Sequence, residues 1–468
     1  MSQPIPIPPR FLERMLLLLS EEFPAFAESL QQSPVHGLRV NTLKLSPEQF
    51  KKACPFPLDA GVPWCPSAFT FPQVGEIRHE PGKHPYHLAG LYYLQDPSAM
   101  SAAELLAPQP GERILDLAAS PGGKTTHLAS LMQGRGLLVA NEIKTSRIHH
   151  LEANVQRWGA DNVVVTNETP ERLADHFGAC FDRVLVDAPC SGEGMFRKDM
   201  GARLDWSEEM LTGCAIRQTN ILRVAAHLVR PGGRLLYSTC TFAPEEDEGV
   251  AAQFLKEQPE FEVESLPQLS GFSPGHPEWS KASDQSLNLT GAVRLFPHRL
   301  AGEGHFAILF KRKDGPAHDG PDPFLPGRIP AEEWRLWLAF KDQVLDQEFP
   351  EERLWQAGQR LYLLPESLPV MKGLRTSIPG VWLGTFKKER FEPAHPLALC
   401  LHPGHAKKSL DLRSDSREMA AYLRGESLPS TGMPGWTLIT ADDWPLGWGK
   451  RVQGVVKNHF PRGWQIWS

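Results

Sequence analysis

Apolar and polar positions follow two different patterns in the first hundred residues. A group of apolar residues near the N-terminus recurs at helical spacing, which predicts amphipathic helix within residues 1–30. These residues are Phe11, Leu12, Met15, Leu16 and Leu19. Residues 37–44 are typical of a strand, and Ser46 followed by Pro47 predicts the start of a helix. The N-terminal region is therefore expected to mix helices and strands.

From Arg113 the pattern changes to short apolar, β-branched runs that alternate with helical stretches. The runs cover residues 114–118, 137–141, 163–166, 184–187 and 235–240, and the longest helix is expected from about Ser207 to Leu228. Strands that alternate with helices predict βαβ units and a parallel sheet with helices on both faces. A further apolar run at 305–311 is expected to close this sheet.

Composition limits the class of protein. The chain has 468 residues, of which 41% are hydrophobic, and domains of about 100–200 residues predict two to four of them. No apolar run approaches the roughly 20 residues that cross a bilayer, and the N-terminus lacks the pattern of a signal peptide. Seven scattered cysteines do not form a disulfide framework. We therefore expect a cytoplasmic protein with reduced thiols and no membrane contact.

Charge is distributed unevenly. The net charge of −6 argues against a uniformly basic nucleic-acid binder, yet from Trp444 onward the chain has four basic residues and no acidic one. Five tryptophans interleave with this basic tail, namely Trp436, Trp444, Trp448, Trp464 and Trp467. Residues 314–326 are rich in Pro, Gly and Asp, which predicts a linker before the C-terminal region.

A glycine turn follows the first strand of the alternating region, in the segment 114–126 (ILDLAASPGGKTT). Residues 118–125 nearly fit the phosphate-binding pattern G-x-x-x-x-G-K-[ST], but Ala118 stands where that pattern needs glycine. The alternative is an adenosyl site, in which Glu142 at the end of the second strand binds ribose hydroxyls. A third alternative is a simple tight turn capped by Asp116.

Two cysteines follow neighbouring strands of the predicted sheet. Asp187 and Cys190 lie after the fourth strand, and Cys240 ends the fifth. Ligands bind beyond the carboxyl ends of parallel strands, so both thiols are expected to face one pocket beside a carboxylate. An isolated cysteine is usually a small buried hydrophobic residue, and this interpretation is given to Cys54, Cys65, Cys180, Cys214 and Cys400. A metal pair is disfavoured because no further ligand stands at suitable spacing.

These motifs resemble those of the Sun-type RNA (cytosine-5) methyltransferases. The segments that carry the resemblance are 116–124 (DLAASPGGK), 187–194 (DAPCSGEG) and 237–241 (YSTCT), with 95–99 (QDPSA), 294–298 (RLFPH) and 304–306 (GHF). The C-terminal segments 447–451 (GWGKR) and 454–458 (GVVKN) resemble the RsmF-like branch. That branch modifies small-subunit ribosomal RNA and ends in a PUA-like RNA-binding module.

The resemblance implies an α/β fold with a Rossmann-like class I methyltransferase sheet, mostly parallel and of seven strands. It also implies a small α+β N-terminal subdomain and a β-rich, PUA-like C-terminal region. The expected boundaries are 1–100 for the N-terminal subdomain, 101–313 for the methyltransferase core, 314–326 for the linker, 327–400 for an intermediate domain and 401–468 for the PUA-like domain. Removal of residues 315–468 is expected to spare cofactor binding and to weaken RNA binding.

The implied cofactor is S-adenosyl-L-methionine, and no metal is expected. Residues implied to bind the cofactor are Ala118, Ala119, Ser120, Pro121, Gly122, Gly123 and Lys124 in the turn, together with Glu142, Arg147, Asn167 and Asp187. By resemblance, Cys240 is the nucleophile and Cys190 assists product release. Asp187 contacts the base and Lys124 lies beside it.

The implied partner is 16S ribosomal RNA or the small ribosomal subunit, and the protein is expected to be a monomer. Arg39, Asn41 and Lys44 resemble an RNA-recognition element, while Arg197 and Lys198 are expected to meet phosphates. The acidic run 245–248 is predicted to be a solvated helix start. Alternatives are a tRNA substrate, a P-loop nucleotide hydrolase, or a methyltransferase that acts on a small molecule.

Overall fold

The computed structural model describes residues 5–72, 80–280, 285–316 and 320–466. Residues 317–319 of the predicted linker and Trp467 of the predicted tail lie outside this part. Within it, the chain forms four β-sheets of four, ten, four and five strands. Helices are numbered α1–α14 and strands β1–β23 in chain order.

The N-terminal region consists of two helices followed by a four-stranded sheet of order β2-β3-β1-β4. Its elements are α1 (Pro9–Leu19), α2 (Phe23–Ser29), β1 (His36–Val40), α3 (Pro47–Ala53), β2 (Gly61–Val62), β3 (Cys65–Phe71), α4 (Pro85–Leu88) and β4 (Tyr92–Leu94). Ser46 caps α3 through a capping box with Gln49, as the sequence predicts. The predicted first helix is broken at Ser20, whose φ is 47°.

Helices α1 and α2 pack on the loops that will form the functional site. Phe11 of α1 lies 4.9 Å from Phe196, and Phe26 of α2 lies 5.2 Å from Phe242, measured between ring centroids. All four rings are buried. The N-terminal helices therefore cover the segments that follow Cys190 and Cys240.

The central region contains the ten-stranded sheet with helices on both faces. Its elements are α5 (Pro97–Leu106), β5 (Arg113–Asp116), α6 (Gly123–Leu131), β6 (Leu137–Asn141), α7 (Thr145–Trp158), β7 (Val163–Thr166), α8 (Pro170–Phe177), β8 (Phe181–Asp187), α9 (Met200–Asp205), α10 (Glu208–Ala226), β9 (Val229–Thr239), α11 (Glu248–Glu257), β10 (Phe261–Glu264), β11 (Phe272–Pro274), β12 (Val293–Leu295) and β13 (His305–Arg312). The strand order is β11-β12-β13-β9-β8-β5-β6-β7-β16, in which β16 is Thr376–Ile378, and β10 also pairs with β13. Strands β7, β6, β5, β8 and β9 are parallel, so the predicted βαβ organisation is confirmed.

The sheet is larger than the seven strands expected. Strand β13 does pair with β9, but it does not close the sheet, because β10 and β12 also pair with it. At the opposite edge β16 (Thr376–Ile378) pairs with β7. Short strands such as these carry too few residues for a recognisable apolar pattern, so only the tertiary structure reveals them.

Two further sheets form the C-terminal region. Its remaining elements are α12 (Ala331–Val344), β14 (Leu354–Ala357), β15 (Arg360–Leu363), β17 (Val381–Lys387), β18 (Arg390–Pro393), α13 (His395–Cys400), β19 (Ser409–Leu412), α14 (Arg417–Leu423), β20 (Leu428–Pro429), β21 (Gly435–Ala441), β22 (Trp444–Val452) and β23 (Val455–Asn458). The last sheet has the order β19-β21-β22-β23-β20. Trp436 and Trp448 are buried in its core, which leaves basic side chains such as Lys457 at the surface.

The C-terminal region packs against the rest of the chain. Tyr86 donates a hydrogen bond to Asp442 at 3.0 Å, and the guanidinium of Arg157 stacks on Trp464. Leu38 and Val40 of β1 share a buried cluster with Tyr422 and Leu446. The predicted linker thus joins two parts that are in direct contact.

Arg39, Asn41 and Lys44, which resemble an RNA-recognition element in sequence, form hydrogen bonds within the protein. Arg39 is fully buried over Trp158 and donates to Thr126 at 2.8 Å. Asn41 donates to the carbonyl oxygens of Gly90 and Trp158, both at 2.8 Å. The Nζ of Lys44 donates to a backbone carbonyl at 2.6 Å, and burial lowers the pKa of Lys44 to about 7.

No helix in the described ranges is both long enough and apolar enough to span a membrane.

Candidate active site

A cleft of about 790 Å³ lies at the carboxyl ends of the parallel strands. The predicted residues that line it are Ala118, Ser120, Glu142, Arg147, Asp187, Cys190 and Cys240. Apolar lining comes from Leu117, Ile143, Pro170 and Ile216 among others. A volume of this size suits a ligand rather than a single ion, since small-molecule pockets usually measure about 300–1,000 Å³.

Leu117, Ala118 and Ser120 of the segment that contains the glycine turn line this cleft. Gly122 has a φ of 110°, a backbone conformation that residues with a Cβ atom rarely adopt, and α6 begins at the next residue. The carbonyl of Pro121 accepts a hydrogen bond from Asn154 at 2.8 Å, and the backbone N–H of Ala119 donates to Asn141 at 2.8 Å. These contacts hold the turn against β6 and α7.

Arg147 and Ser120 bind each other reciprocally. The guanidinium of Arg147 donates to the backbone carbonyl of Ser120 at 2.6 Å, and Ser120 Oγ donates to the backbone carbonyl of Arg147 at 3.0 Å. Arg147 also lies 3.7 Å from Glu142. Arg147 therefore links the glycine turn to the carboxylate at the end of β6.

Glu142 projects from the end of β6 into the cleft and is 3% exposed. Its Oε1 accepts a hydrogen bond from the backbone N–H of Lys144 at 2.7 Å. With Arg147 3.7 Å from Oε2, the carboxylate is fixed in orientation and remains able to accept further hydrogen bonds.

The structure places Asn167 behind Glu142, outside the lining of the cleft. Its amide donates to the backbone carbonyls of Glu142 and Ile143, at 2.5 and 3.2 Å, and its Oδ1 accepts from Thr145. These contacts occupy the side chain and support the loop after β6. Residues 169–171 line the cleft at this position instead.

An ion pair connects the glycine turn with the end of β8. The Nζ of Lys124 lies 2.7 Å from Oδ2 of Asp187, and Ser238 Oγ donates to Oδ1 at 2.9 Å. Burial by itself would raise the pKa of Asp187, but the charge of Lys124 reverses this and the pKa is lowered. Burial likewise opposes the charge of Lys124, and Asp187 raises its pKa in turn. Both groups are therefore ionised at neutral pH.

Cys190 and Cys240 are brought together, as their positions after adjacent strands predict. Their Sγ atoms are 3.2 Å apart, and the backbone N–H of Cys240 donates to Cys190 Sγ at 3.4 Å. The hydrogen bond with Cys240, followed by burial, raises the pKa of Cys190 well above its ordinary value. Cys190 consequently holds its proton at neutral pH.

The acidic run 245–248 leads into α11, which begins at Glu248 as predicted, but apart from Glu245 it is not solvated, so that part of the prediction is wrong. Glu246, Asp247 and Glu248 are fully buried. Arg294 pairs with Asp247 at 3.0 Å and with Glu248 at 2.5 Å. In the sequence this run has the pattern of a polar helix start, because Arg294, its buried partner, lies 46 residues beyond Glu248 in the chain.

Arg197 and Lys198 are also engaged within the protein. Arg197 is buried and pairs with Glu303 at 2.9 Å, and Lys198 pairs with Asp96 at 2.7 Å. The prediction that Arg197 meets phosphates is therefore wrong, because the guanidinium is not accessible.

The sequence interpretation missed several residues that shape the site. Ser238 belongs to the motif 237–241, and Glu193 belongs to 187–194, yet neither was singled out. Cys65, by contrast, is buried as predicted and lies outside the cleft lining, with its Sγ 3.7 Å from Nε2 of His127. The motifs that contain Ser238 and Glu193 were an available signal for both residues.

Four family descriptions match successive parts of the chain. "16S rRNA methyltransferase RsmB/F" matches residues 103–311, and "N-terminal domain of 16S rRNA methyltransferase RsmF" matches 7–97. "RsmF rRNA methyltransferase first C-terminal domain" matches 339–401, and "Methyltransferase RsmF PUA domain" matches 409–466.

Curated proteins are similar over nearly the whole chain. Ribosomal RNA small subunit methyltransferase F of Erwinia tasmaniensis is 32% identical, over 97% of this chain and 96% of that protein. The protein of the same name from Shigella boydii is 33% identical, over 94% of this chain and 92% of that protein.

Solved structures match about two thirds of the chain. A methyltransferase homolog protein from Pyrococcus horikoshii has a TM-score of 0.53 at 27% identity, over 65% of this chain and 100% of that one. NSun6 from Pyrococcus horikoshii, crystallised with SFG, has a TM-score of 0.55 at 22% identity, over 66% of this chain and 99% of that one. The second likeness is one of fold.

Proposed function

Because the chain belongs to the family of ribosomal RNA small subunit methyltransferases F, we propose that it methylates carbon 5 of cytosine in 16S ribosomal RNA, with S-adenosylmethionine as the methyl donor. The observation that carries this proposal is the pair of thiols, 3.2 Å apart, in one cleft with the Glu142 carboxylate. A nucleotide hydrolase has no use for two thiols in its phosphate site. It would also need Lys124 free for phosphates, whereas Asp187 holds that side chain.

The residues of the cleft fit S-adenosylmethionine. Glu142 offers carboxylate oxygens for ribose hydroxyls, Ala118 and Ser120 offer backbone beside the glycine turn, and Pro170 and Ile216 offer apolar surface for the adenine. When bound, this cofactor supplies an electrophilic methyl group. Arg147, which fixes Ser120, keeps the turn in place for the bound molecule.

Cys240 is proposed as the nucleophile. Carbon 5 of cytosine is a poor nucleophile until a thiolate adds to carbon 6, because this addition breaks the aromatic ring and makes carbon 5 enamine-like. The raised pKa of Cys190 keeps that thiol protonated, which suits a group that assists release of the product. After methylation, water takes up the carbon 5 proton, and the Cys240–carbon 6 bond breaks to restore the Cys240 thiolate. The protonated Cys190, whose Sγ lies 3.2 Å from that of Cys240, assists this release by donating a hydrogen bond to the leaving sulfur.

Asp187 is proposed to orient the base. Its lowered pKa keeps it ionised, so it accepts a hydrogen bond from the exocyclic amine of cytosine. Lys124 holds this carboxylate in place. Since the thiols lie inside a cleft, the cytosine must leave its base stack to reach them.

The substrate is tested by methyl transfer to purified small subunits, naked 16S ribosomal RNA and bulk tRNA, with bisulfite sequencing to locate the product. Modification of ribosomal RNA at a defined cytosine is expected. Exclusive labelling of tRNA would point to the alternative substrate, and labelling of no RNA would contradict the proposal.

The oligomeric state and location follow from the same proposal. One chain carries the cleft, the N-terminal subdomain and the C-terminal region that matches an RNA-methyltransferase PUA domain, so we propose a monomer that acts in the cytoplasm, where its substrate is assembled. Sedimentation equilibrium of the full chain tests the monomer.

A further inference from the structure

The two cysteine loops are tied together by two buried glutamates. We call residues 188–196, after β8, the Cys190 loop, and residues 240–247, after β9, the Cys240 loop. Glu193 of the Cys190 loop accepts hydrogen bonds from Thr241 Oγ1 and from the backbone N–H of Phe242, both at 3.1 Å. Glu246 of the Cys240 loop accepts from the backbone N–H of Ser191 at 3.0 Å. Each loop thus supplies the carboxylate that holds the other.

Further contacts fix the two carboxylates in place. Trp206 Nε1 donates to Glu193 Oε1 at 2.9 Å, and Gln218 Nε2 donates to Glu246 Oε2 at 2.8 Å. Ser191 Oγ and Thr241 Oγ1 are 2.8 Å apart and also join the loops. None of these contacting residues lines the cleft.

These glutamates are unusual because both are buried without a salt bridge in the described part of the chain. Glu193 is 1% exposed and Glu246 is fully buried, whereas the neighbouring Glu248 is paired with Arg294. Burial raises the pKa of Glu193 to about 7 and raises that of Glu246. A carboxyl group without a cation is costly to bury, so the hydrogen bonds across the loops must compensate for the lost hydration.

We propose that Glu193 and Glu246 are positioning residues that set the distance between the Cys190 and Cys240 thiols. This inference rests on the proposed function, in which one thiol attacks the base and the other assists its release. Either glutamate acts through its partner loop, and neither touches the cleft. Their loss is expected to separate the thiols and to leave cofactor binding intact.

The two glutamates should differ in their tolerance of glutamine. Both carboxylate oxygens of Glu193 accept hydrogen bonds from N–H or O–H donors. In Glu193→Gln the side-chain NH₂ group would replace one of these oxygens and face a donor, whichever way the amide is turned, so at least one hydrogen bond is lost. At Glu246 both hydrogen bonds go to Oε2, and Oε1 has no hydrogen-bond partner among the described residues. Glu246→Gln can therefore keep both contacts, whereas Glu246→Ala loses them.

Dibromobimane measures the thiol pair directly, because it becomes fluorescent only after both of its bromomethyl groups have reacted with thiols. The reagent is added to the full-length protein without RNA or cofactor, and Cys190→Ser supplies the background. The matched control is Glu245→Gln, an exposed neighbour in the same acidic run.

Bridging is expected to fall about tenfold in Glu193→Gln and Glu246→Ala, the change produced by losing one charge-assisted hydrogen bond. Glu246→Gln and Glu245→Gln should bridge at the rate of the unmodified chain. Equal bridging in all four variants would overturn the proposal, as would loss of bridging in Glu245→Gln alone.

Thr241→Val serves if Glu193→Gln fails to fold, since it removes the hydrogen bonds of Thr241 with Glu193 and Ser191 and keeps the shape of the side chain. It should reduce bridging in the same direction, and unchanged bridging in this folded variant would contradict the role of Glu193. In activity assays Glu193→Gln should bind S-adenosylmethionine normally and retain more covalent RNA adduct than the unmodified chain. Because bridging requires no catalysis, an inactive protein whose bridging follows this ranking would refute the proposed function and leave the positioning role standing.

Discussion

The Nζ of Lys124 lies 2.7 Å from Oδ2 of Asp187, so an ion pair joins the glycine turn after β5 to the carboxyl end of β8. The cofactor side and the base side of the cleft are therefore not independent. A change at Lys124 acts on the carboxylate that is proposed to orient the cytosine.

Lys124→Met is expected to lose methyl transfer and to lower the free energy of unfolding by about 1.5–3 kcal/mol, the value of a hydrogen bond to a charged group. The physical reason is that Asp187 would lose the cation that offsets the cost of burying its carboxylate. Urea unfolding measures the stability, and Lys124→Arg is the control that keeps the charge. An unchanged free energy of unfolding in Lys124→Met would show that the ion pair contributes nothing.

The two cysteines are expected to give opposite results in a trapping experiment. Cys240→Ala should bind cofactor yet form no covalent adduct with RNA, because it lacks the attacking thiol. Cys190→Ala keeps that thiol and should accumulate an RNA adduct, visible as a shifted band on a denaturing gel. An adduct in Cys240→Ala and none in Cys190→Ala would assign the nucleophile to Cys190.

Glu142→Ala should weaken binding of S-adenosylmethionine by about 1.5–3 kcal/mol, because the ribose hydroxyls lose a charged acceptor. Titration calorimetry measures the affinity. Glu152→Ala is the control, since Glu152 lies on α7 outside the cleft lining. Equal affinity in Glu142→Ala and the unmodified protein would remove Glu142 from the site.

Asp116 should make the stability of the protein depend on pH. Burial raises its pKa to about 7, although the hydrogen bond from Thr125 opposes the shift and the charges of Asp187 and Glu142 add to it. Between its ordinary pKa of 3.8 and about 7, the folded protein holds a proton that the unfolded chain has released. Stability should therefore fall as pH rises through this window, by up to about 1.4 kcal/mol per pH unit.

Asp116→Asn removes this titration, so the difference in unfolding free energy between variant and unmodified protein should change across the window. Urea unfolding at several pH values measures it. Asp175→Asn, at an exposed position on α8, should leave the slope unchanged. Parallel curves for Asp116→Asn and the unmodified chain would mean that Asp116 is ionised in the folded state.

The sequence predicts that removal of residues 315–468 spares cofactor binding, but the structure leads us to expect that this truncation impairs it. Strand β16 pairs with β7, the backbone N–H of Arg375 donates to Glu168 at 2.7 Å, and that of Asn167 donates to the carbonyl of Arg375 at 2.9 Å. Truncation would leave these groups unpaired beside residues 169–171 of the cleft. Calorimetry on the truncated protein tests this, and full affinity would show that β7 holds its shape alone.

The sequence by itself determined the parallel core, the cleft and the pair of thiols. Runs such as Leu137–Asn141 and Val163–Thr166 became strands with the predicted bounds, because buried parallel strands need continuous apolar, β-branched residues. Because βαβ connections make these strands parallel, the residues that follow β5, β6, β8 and β9 all lie at the same edge of the sheet. The positions of Glu142, Asp187, Cys190 and Cys240 follow from that rule.

Only the tertiary structure decided which charged residues are buried. Arg39, Arg197 and Glu246 look like surface residues in sequence, since charged side chains are mostly exposed. Each is nevertheless buried, and each forms hydrogen bonds with groups distant in the chain. The same holds for β16, which completes the sheet from beyond the predicted linker. The local sequence pattern indicates only the period of a helix or a strand. The partners of these buried charged residues and of β16 come from segments far apart in the chain, and only the packing of those segments brings them into contact.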